Sequence, residues 1–240
     1  MTKDCKFLIH TLKQAAKIID GNFQVMHKGS GSDLVTSYDF AVEKFITEQI
    51  KQNYDGFDIV SEEFNAEKLL TKNCFVIDPI DGTINFANGI PLWGIQAACI
   101  KNGKPVAAVI YLPMLGECYY ADESGAYLND KPIKVLSKPM RNIIGAICDL
   151  EKSQLYMKIL GEHYGCGRHL CAASISYAYL AAGKVQYFIA KFSKYNPWDY
   201  VPGEYICKQA GAYFIFQNGV RFLTSNKQFF EKIKKNIKNI

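Results

Sequence analysis

The first half of the chain contains the stretch Asn73-Cys74-Phe75-Val76-Ile77-Asp78-Pro79-Ile80-Asp81-Gly82-Thr83. Its first five residues are largely apolar, which predicts a short buried strand. Two aspartates follow, so both carboxylates are expected at the C-terminal end of that strand. Pro79 stiffens the backbone between them, and Gly82 allows the sharp turn that comes next. Because open α/β sheets place their ligands at this end of their strands, the stretch predicts an α/β fold with its site here.

Other acidic residues can join the two aspartates. Glu62 and Glu63 follow a predicted strand at 57–60, and Asp199 follows Trp198 far downstream. Like charges a few ångströms apart repel, so clustered carboxylates need a reason to converge, and divalent cations are the usual one. These side chains offer only oxygen, which favours Mg²⁺ or Mn²⁺ over Zn²⁺. The sequence therefore predicts a metal-dependent enzyme.

At these residues the chain resembles the inositol monophosphatase family of Mg²⁺-dependent phosphatases. The resemblance rests on four segments that occur in order, at residues 33–39, 61–63, 78–83 and 198–203. Ser61 stands where the family usually has Gly, and Pro202 stands where it favours Ala. The similar region spans most of the chain, from about residue 33 to 211. It implies a layered αβαβα sandwich of the sugar-phosphatase type and the hydrolysis of phosphomonoesters.

The resemblance also implies roles for the acidic residues. It implies that Glu62, Asp78 and the backbone carbonyl of Ile80 hold a first Mg²⁺, whose bound water attacks the phosphate. It further implies that Asp78 bridges to a second Mg²⁺, which Asp81 and Asp199 also hold. A third, loosely held ion near Glu62 would complete the set.

Groups around these ions are expected to take part in catalysis. The Thr83 hydroxyl is suited to orient or help deprotonate the attacking water, and Asp39 is placed to hydrogen-bond it. Glu62 is counted with them as catalytic because it holds the ion that carries this water. The backbone N–H groups of Gly82 and Thr83, at the predicted start of a helix, can receive phosphate oxygens. Glu63 is expected to support the ligands of the first ion from behind.

Substrate contacts are predicted at Asp81, Gly82, Thr83 and Asp199, and also at Ala173. The last of these belongs to Cys171-Ala172-Ala173, which resembles the family's phosphate-facing turn but has Cys where Gly is usual.

The loop before Trp198 departs from the family. Inositol-cleaving members carry a Glu there that binds a sugar hydroxyl, whereas the loop at 188–197 contains no acid. Lys191 and Lys194 would instead suit a second anionic group on the substrate, so Lys191 is predicted to contact it. The leading interpretation is an inositol-1-monophosphatase-like enzyme that acts on a phosphorylated polyol, sugar or nucleotide. The alternatives are a 3′(2′),5′-bisphosphate nucleotidase, a fructose-1,6-bisphosphatase-like enzyme, and a regulatory RNA- or protein-binding module that retains the fold.

Composition limits the function classes. With 240 residues, 49% apolar and 21% charged, the chain is typical of a globular protein, and no apolar run suits a membrane span. The first six residues lack a signal peptide's apolar core, and eight Cys without metal spacing indicate free thiols, so a cytoplasmic location is expected. Net charge is +5, but the C-terminal lysines suit the wet face of a helix, so nucleic-acid binding is not expected. A homodimer is expected.

Hydrophobic periodicity and turn residues predict the remaining elements. The predicted helices are 7–19, a second with Ser37 as N-cap, 152–161, 172–182, 198–210 and a basic terminal helix. The predicted strands are 57–60, 73–77, 95–100, 105–111, 117–121, 125–128, 132–135, 143–148, 186–190 and 213–216. A weak boundary near 137–139 divides the chain into 1–137, with the metal motifs and an antiparallel sheet, and 138–240, which contributes Asp199. The two halves are expected to pack as one unit.

Overall fold

The computed structural model describes residues 1–27, 34–136, 143–191 and 196–240. The α-helices in these residues are α1 (Lys3–Ala15), α2 (Ser37–Asn53), α3 (Thr83–Ala87), α4 (Ser153–Leu160), α5 (Ala173–Ala181), α6 (Pro197–Gln209) and α7 (Lys227–Lys238). The strands are β1 (Val25–His27), β2 (Leu34–Thr36), β3 (Asp58–Ser61), β4 (Cys74–Asp81), β5 (Gly94–Lys101), β6 (Lys104–Leu112), β7 (Glu117–Asp122), β8 (Gly125–Leu128), β9 (Lys131–Ile133), β10 (Gly145–Cys148), β11 (Gly167–Arg168), β12 (Tyr187–Ala190), β13 (Tyr213–Gln217) and β14 (Val220–Thr224).

Two large sheets alternate with three helical layers, and β1 and β2 form a separate two-stranded sheet. A seven-stranded sheet has the order β3-β4-β5-β6-β7-β8-β9, and a five-stranded sheet has the order β11-β10-β12-β14-β13. Helices α1 and α2 pack on one face of the larger sheet, and α5 and α6 lie between the two sheets. Helices α4 and α7 cover the outer face of the smaller sheet. The αβαβα sandwich expected from the sequence is therefore confirmed.

Polar caps set where the first two helices begin. The Thr2 side chain accepts a hydrogen bond from the backbone N–H of Cys5 at the start of α1. Thr36 occupies the N-cap of α2, and its backbone N–H donates a hydrogen bond to the side chain of Asp39 at the third helical position. The prediction that Ser37 is the N-cap was wrong by one residue, because the reciprocal pairing of Thr36 with Asp39 satisfies two backbone donors at once.

Strand β4 runs further than predicted. It continues through the motif to Asp81, so Asp78 lies inside the strand and only Asp81 is at its end. The ladder to β5 shifts register between these two residues, which pair with Gln96 and Gly94. Pro79 has no N–H to donate, and strand interiors tolerate proline at such irregularities. The bulge thus aims both aspartates at the same edge of the sheet.

The predicted hairpin between β5 and β6 is confirmed, and its turn explains its sequence. Asn102 and Gly103 both have positive φ, of 53° and 74°, as a two-residue hairpin turn requires. Other boundaries differ. The strand predicted at 132–135 is Lys131–Ile133, and the helix predicted at 7–19 begins at Lys3. The short strands β1, β2 and β11 and the strand β14 were not predicted.

Three compositional predictions can be compared with the structure. On the C-terminal helix, Phe229, Ile233 and Ile237 are buried while its lysines face water, as expected. All eight cysteines are free thiols. No helix in the described parts of the chain is long and apolar enough to cross a membrane.

The two large sheets are built from separate parts of the chain. The seven-stranded sheet uses strands between residues 58 and 133, and the five-stranded sheet uses strands between 145 and 224. The proposed boundary at 137–139 lies outside the described residues, as does Lys194.

Candidate active site

Helix α2 carries two buried carboxylates toward the edge where β3 and β4 end. Asp39 and Glu43 lie one helical turn apart and are both fully buried. Residues four apart share a helix face, so the two side chains point the same way. Asp39 was predicted as a site residue, whereas Glu43 was missed. The available signal was an acidic residue on the apolar face that also carries Val42 and Ile46.

Asp39 connects its helix to the motif after β4. One carboxylate oxygen accepts hydrogen bonds from the N–H and hydroxyl of Thr36, at 2.7 and 2.6 Å. The other lies 3.4 Å from the hydroxyl oxygen of Thr83. That hydroxyl also donates to the carbonyl of Ile80 at 2.9 Å. The structure therefore brings together three of the predicted residues, and the Ile80 carbonyl keeps a second lone pair for another partner.

Asp78 is an almost fully buried acid that lies near other negative charges. Its side chain is 1% exposed, and one oxygen accepts a hydrogen bond from Gln96 Nε2 at 3.2 Å. The other oxygen is buried with no hydrogen-bond partner among the described residues. Burial, and then the negative charges of Glu62, Asp81 and Asp199, raise the pKa of the Asp78 carboxyl well above its usual range. A buried carboxylate oxygen without a donor is costly unless a cation satisfies it.

Asp81 faces the N-terminus of α5. It accepts hydrogen bonds from the backbone N–H groups of Ala173 at 3.3 Å and Ser174 at 2.6 Å, and from the Ser174 hydroxyl. Burial raises its pKa to about 6, although these hydrogen bonds oppose the rise. The structure thus places Ala173, a predicted substrate contact, beside the motif, and also brings Ser174 there, which was missed. An acid at a helix N-terminus is favoured, because unpaired N–H groups and the helix dipole stabilise negative charge.

Gly82 is required by its surroundings. Its φ is +89°, a conformation that L residues rarely adopt. A Cβ there would lie 3.0 Å from the Ala172 side chain and 3.1 Å from the carbonyl oxygen of Leu92. The glycine therefore lets the turn after β4 approach the segment that leads into α5.

Asn85, also missed, fastens the same two segments. Its side-chain amide donates to the carbonyls of Leu92, at 2.6 Å, and Leu170, at 3.0 Å. Because both N–H groups of this buried side-chain amide are used, Asn85 holds the motif against the segment that precedes α5.

Glu62 and Asp199 complete the acidic set from other elements. Glu62 follows β3, and Asp199 is the third residue of α6, with its N–H donating to the Asn196 carbonyl at 3.1 Å. Both are half-buried and close enough to raise the pKa of Asp78. Among the described residues, no three acidic, histidine or cysteine side chains are grouped tightly enough to hold an ion. The carboxylates repel one another, and Asp81 is turned toward α5.

The set nevertheless fits a hard cation by its chemistry. Four carboxylates and one carbonyl supply oxygen alone, and Asp78, whose one oxygen has no hydrogen-bond partner in the described residues, is close enough to feel the other three charges. Oxygen donors of this kind suit Mg²⁺ or Mn²⁺.

The loop before α6 starts from the end of β12. Ala190 is buried on the face that packs toward α5, where the alternating Phe188 also lies. Lys191 is the next residue, and its N–H donates at 2.6 Å to the hydroxyl of Tyr156, which donates to the carbonyl of Cys148 at 2.7 Å. Burial and then Asp81 and Asp199 raise the pKa of the Cys148 thiol, so this end of the smaller sheet lies beside the acids.

The segment before α5 departs from glycine at a demanding position. Cys171 has φ of +55° and is exposed, and its thiol lies 3.1 Å from Nδ1 of His169. Left-handed backbone suits glycine, which is the residue that the family usually has here.

Known proteins resemble this chain in sequence and in fold. The model of the inositol monophosphatase family matches residues 2–237. A fructose-1,6-bisphosphatase/inositol-1-monophosphatase of Thermotoga maritima is 31% identical over 229 residues, covering 83% of this chain and 84% of the relative. The Nus factor SuhB of Vibrio cholerae is 33% identical over 228 residues, covering 90% and 82%. The solved structure of a Thermotoga maritima IMPase superposes with a TM-score of 0.86 at 26% identity, covering 99% of both chains.

The match extends over nearly all the chain and includes every segment on which the sequence resemblance rested. The chain belongs to the inositol monophosphatase family and is a phosphatase that hydrolyses phosphomonoesters.

Proposed function

We propose that the enzyme is a Mg²⁺-dependent, inositol-1-monophosphatase-like phosphatase whose site is formed by Glu62, Asp78, Asp81 and Asp199 with the carbonyl of Ile80. The observation that carries this proposal is the buried oxygen of Asp78, which has no hydrogen-bond partner within the described part of the chain and belongs to a carboxylate near three other acids. Two ions, with a third near Glu62, would neutralise these charges and the charge of the phosphoryl group. When bound, such ions supply a hydroxide-like nucleophile and stabilise the leaving oxygen.

Thr83 and Asp39 would orient the water. The Thr83 hydroxyl lies 2.9 Å from the Ile80 carbonyl and 3.4 Å from Asp39, so its proton has two acceptors. With that proton held by either acceptor, a lone pair of the hydroxyl oxygen can accept a hydrogen bond from the attacking water.

The substrate would meet backbone donors on two sides. The N–H groups of Gly82 and Thr83 lie at the start of α3, and Ala173 is the first residue of α5. Asp81 currently accepts from Ala173 and Ser174, which shows that the α5 terminus binds carboxylate oxygens. Phosphate oxygens have the same preference for helix N-termini. Glu63, the next residue after Glu62, would support the ligands of the first ion without binding it directly.

The metal requirement is tested by removal and replacement. In EDTA we expect phosphate release from inositol-1-phosphate to fall to background, and added Mg²⁺ to restore it. Ca²⁺ should fail to replace Mg²⁺, because its larger radius and looser geometry misplace the water. A colorimetric phosphate assay on dialysed enzyme measures this. Full turnover in EDTA would refute the metal assignment.

A second candidate substrate class is favoured by the β12 loop. The loop at 188–197 contains no acid, whereas inositol-cleaving members resembling this chain have a Glu there, and it carries Lys191. A substrate with two anionic groups, such as a sugar bisphosphate or a nucleoside bisphosphate, would suit that charge. The relative in Thermotoga maritima carries both activities in its name.

We expect the Lys191→Glu variant to shift kcat/KM by about 10-fold toward inositol-1-phosphate relative to fructose-1,6-bisphosphate, because the charge beside a second phosphate is reversed. The matched control is Lys234→Glu, which makes the same change at an exposed position on α7. An unchanged substrate ranking in Lys191→Glu would show that Lys191 does not contact the substrate.

We also propose a cytoplasmic location and a homodimeric assembly. The eight free thiols support a reducing, cytoplasmic location. A homodimer rests on the family resemblance. The relative named Nus factor SuhB keeps the regulatory alternative open, but the costly acidic set favours an enzyme, because partnerless buried charge is retained where it has a use.

A further inference from the structure

Glu43 is a buried acid that the proposed reaction does not use. It is 0% exposed and accepts three hydrogen bonds from the last residue of β3 and the turn that follows it. One oxygen accepts from the Ser61 hydroxyl at 2.5 Å and the Phe64 N–H at 2.8 Å. The other accepts from the Glu63 N–H at 2.8 Å. The donors thus flank Glu62, with Ser61 directly before it and Glu63 and Phe64 directly after it.

A neutral side chain could not hold this turn equally well. Two backbone N–H groups and a hydroxyl converge on the two oxygens, and only a carboxylate presents acceptors on both sides. Hydrogen bonds to an ionised acceptor are also about twice as strong as neutral ones. The Ser61 hydroxyl in turn accepts from the Asn65 side chain at 3.0 Å, so the bonding extends across the turn.

Helix α2 therefore contacts both segments that carry the acids of the site, here called the two arms: the turn after β3 with Glu62 and the motif at the end of β4. Through Asp39 it lies 3.4 Å from Thr83, after β4, and through Glu43 it holds the turn after β3. The two side chains are one helical turn apart on a rigid element, so the distance between the arms is set by the helix.

We propose that Glu43 is a positioning residue that fixes Glu62 for cation binding and thereby sets the affinity of the site for Mg²⁺. This inference rests on the proposed function, in which Glu62 is a ligand. Residues that orient ligands from behind typically change metal affinity by about 10- to 100-fold when they are replaced.

The test uses Glu43→Gln and a matched control, Asp122→Asn. Asp122 is also 0% exposed and also accepts from two backbone N–H groups, of Thr2 and Ser124, and from one hydroxyl, of Ser124. It is the last residue of β7, and because β4 to β7 pair antiparallel, it lies at the opposite end of these strands from the site. Both variants should lose stability, since each leaves an N–H facing an amide nitrogen.

Only Glu43→Gln should change cation binding. Calorimetric titration with MgCl₂ alone, and the rise of Tm with MgCl₂, should show Mg²⁺ affinity about 10- to 100-fold weaker than in wild type. The Mg²⁺ concentration for half-maximal phosphate release should rise in parallel, with kcat at saturating Mg²⁺ within a few-fold. Asp122→Asn should match wild type in every Mg²⁺ measurement.

Equal Mg²⁺ affinities for Glu43→Gln and wild type would overturn the inference and leave Glu43 a structural role. If Glu43→Gln does not fold, Ser61→Ala removes one of the three donors. Its Mg²⁺ affinity should then weaken by a smaller factor, and an unchanged value would be equally decisive against the inference. A wild-type enzyme that neither binds nor needs Mg²⁺ would instead refute the proposed function.

Discussion

Replacing Asp78 by Asn is expected to lower kcat by roughly three orders of magnitude, equivalent to about 4 kcal/mol of barrier. The substitution keeps the shape and the hydrogen bond from Gln96 but removes the charge that would be shared between two cations. Phosphate release at saturating Mg²⁺, with inositol-1-phosphate as substrate, measures the effect. Turnover within a few-fold of wild type would show that Asp78 holds no ion.

The same variant should stabilise the metal-free protein. Its carboxylate is buried with one oxygen unpartnered among the described residues, so neutralising it should raise the free energy of unfolding by about 1–4 kcal/mol. The gain should depend on pH. The pKa of Asp78 in the folded protein lies well above the usual 3.8. Below pH 3.8 the carboxyl is therefore protonated in both the folded and the unfolded protein, and the gain from the substitution is smallest. As pH rises through the folded pKa, wild type loses stability relative to Asp78→Asn. Urea unfolding in EDTA at pH 4 and pH 7.5 compares the two proteins.

The sequence was sufficient to predict the layers and to identify the acidic residues as candidates for the site. Strand-length apolar runs, glycine turns and the motif at 78–83 each depend on local chemistry, which a single sequence displays. The bulge in β4 was not predicted, because a register shift depends on the partner strand. Here Asp78 and Asp81 pair with Gln96 and Gly94, and the pairing was not visible from β4 alone.

The missed site residues share a physical cause. Glu43, Ser174 and Asn85 act through partners 7 to 93 positions away in the chain, and each is an ordinary polar residue in its own segment. Their roles arise from tertiary contacts between the ends of β3, β4 and α5. Only Glu43 left a local signal, since a charged residue on the buried face of an amphipathic helix needs a partner.

Asp81 is less suited than Asp78 to a substitution that removes only the charge. Asp81 accepts two backbone N–H groups and a hydroxyl at the start of α5. An amide there would present an NH₂ to at least one of these donors, so loss of charge and loss of structure would be mixed. Asp78, with a single donor in Gln96, separates the two effects.

Replacing Gly82 by Ala should damage both folding and catalysis. The backbone at φ +89° would strain any L residue, by roughly 1–2 kcal/mol. The new Cβ would also lie 3.0 Å from Ala172 and 3.1 Å from the Leu92 carbonyl, and such overpacking costs about 1–3 kcal/mol more. We therefore expect a total loss of roughly 2–5 kcal/mol in urea unfolding.

Catalysis should suffer because relief of this contact separates Thr83 from the start of α5. The turn after β4 and the segment before α5 would have to move apart, and Asp81 spans the same gap to Ser174. A shift of about 1 Å at a reacting centre commonly costs about 100-fold in rate, so kcat/KM should fall by that order. The control is Gly56→Ala, where φ is +71° but no atom lies within 4 Å of the added Cβ. It should lose only the conformational part of the stability, about 1–2 kcal/mol, and keep wild-type kcat/KM. If Gly82→Ala behaved like Gly56→Ala in both measurements, the close approach of the two segments would not matter to the reaction.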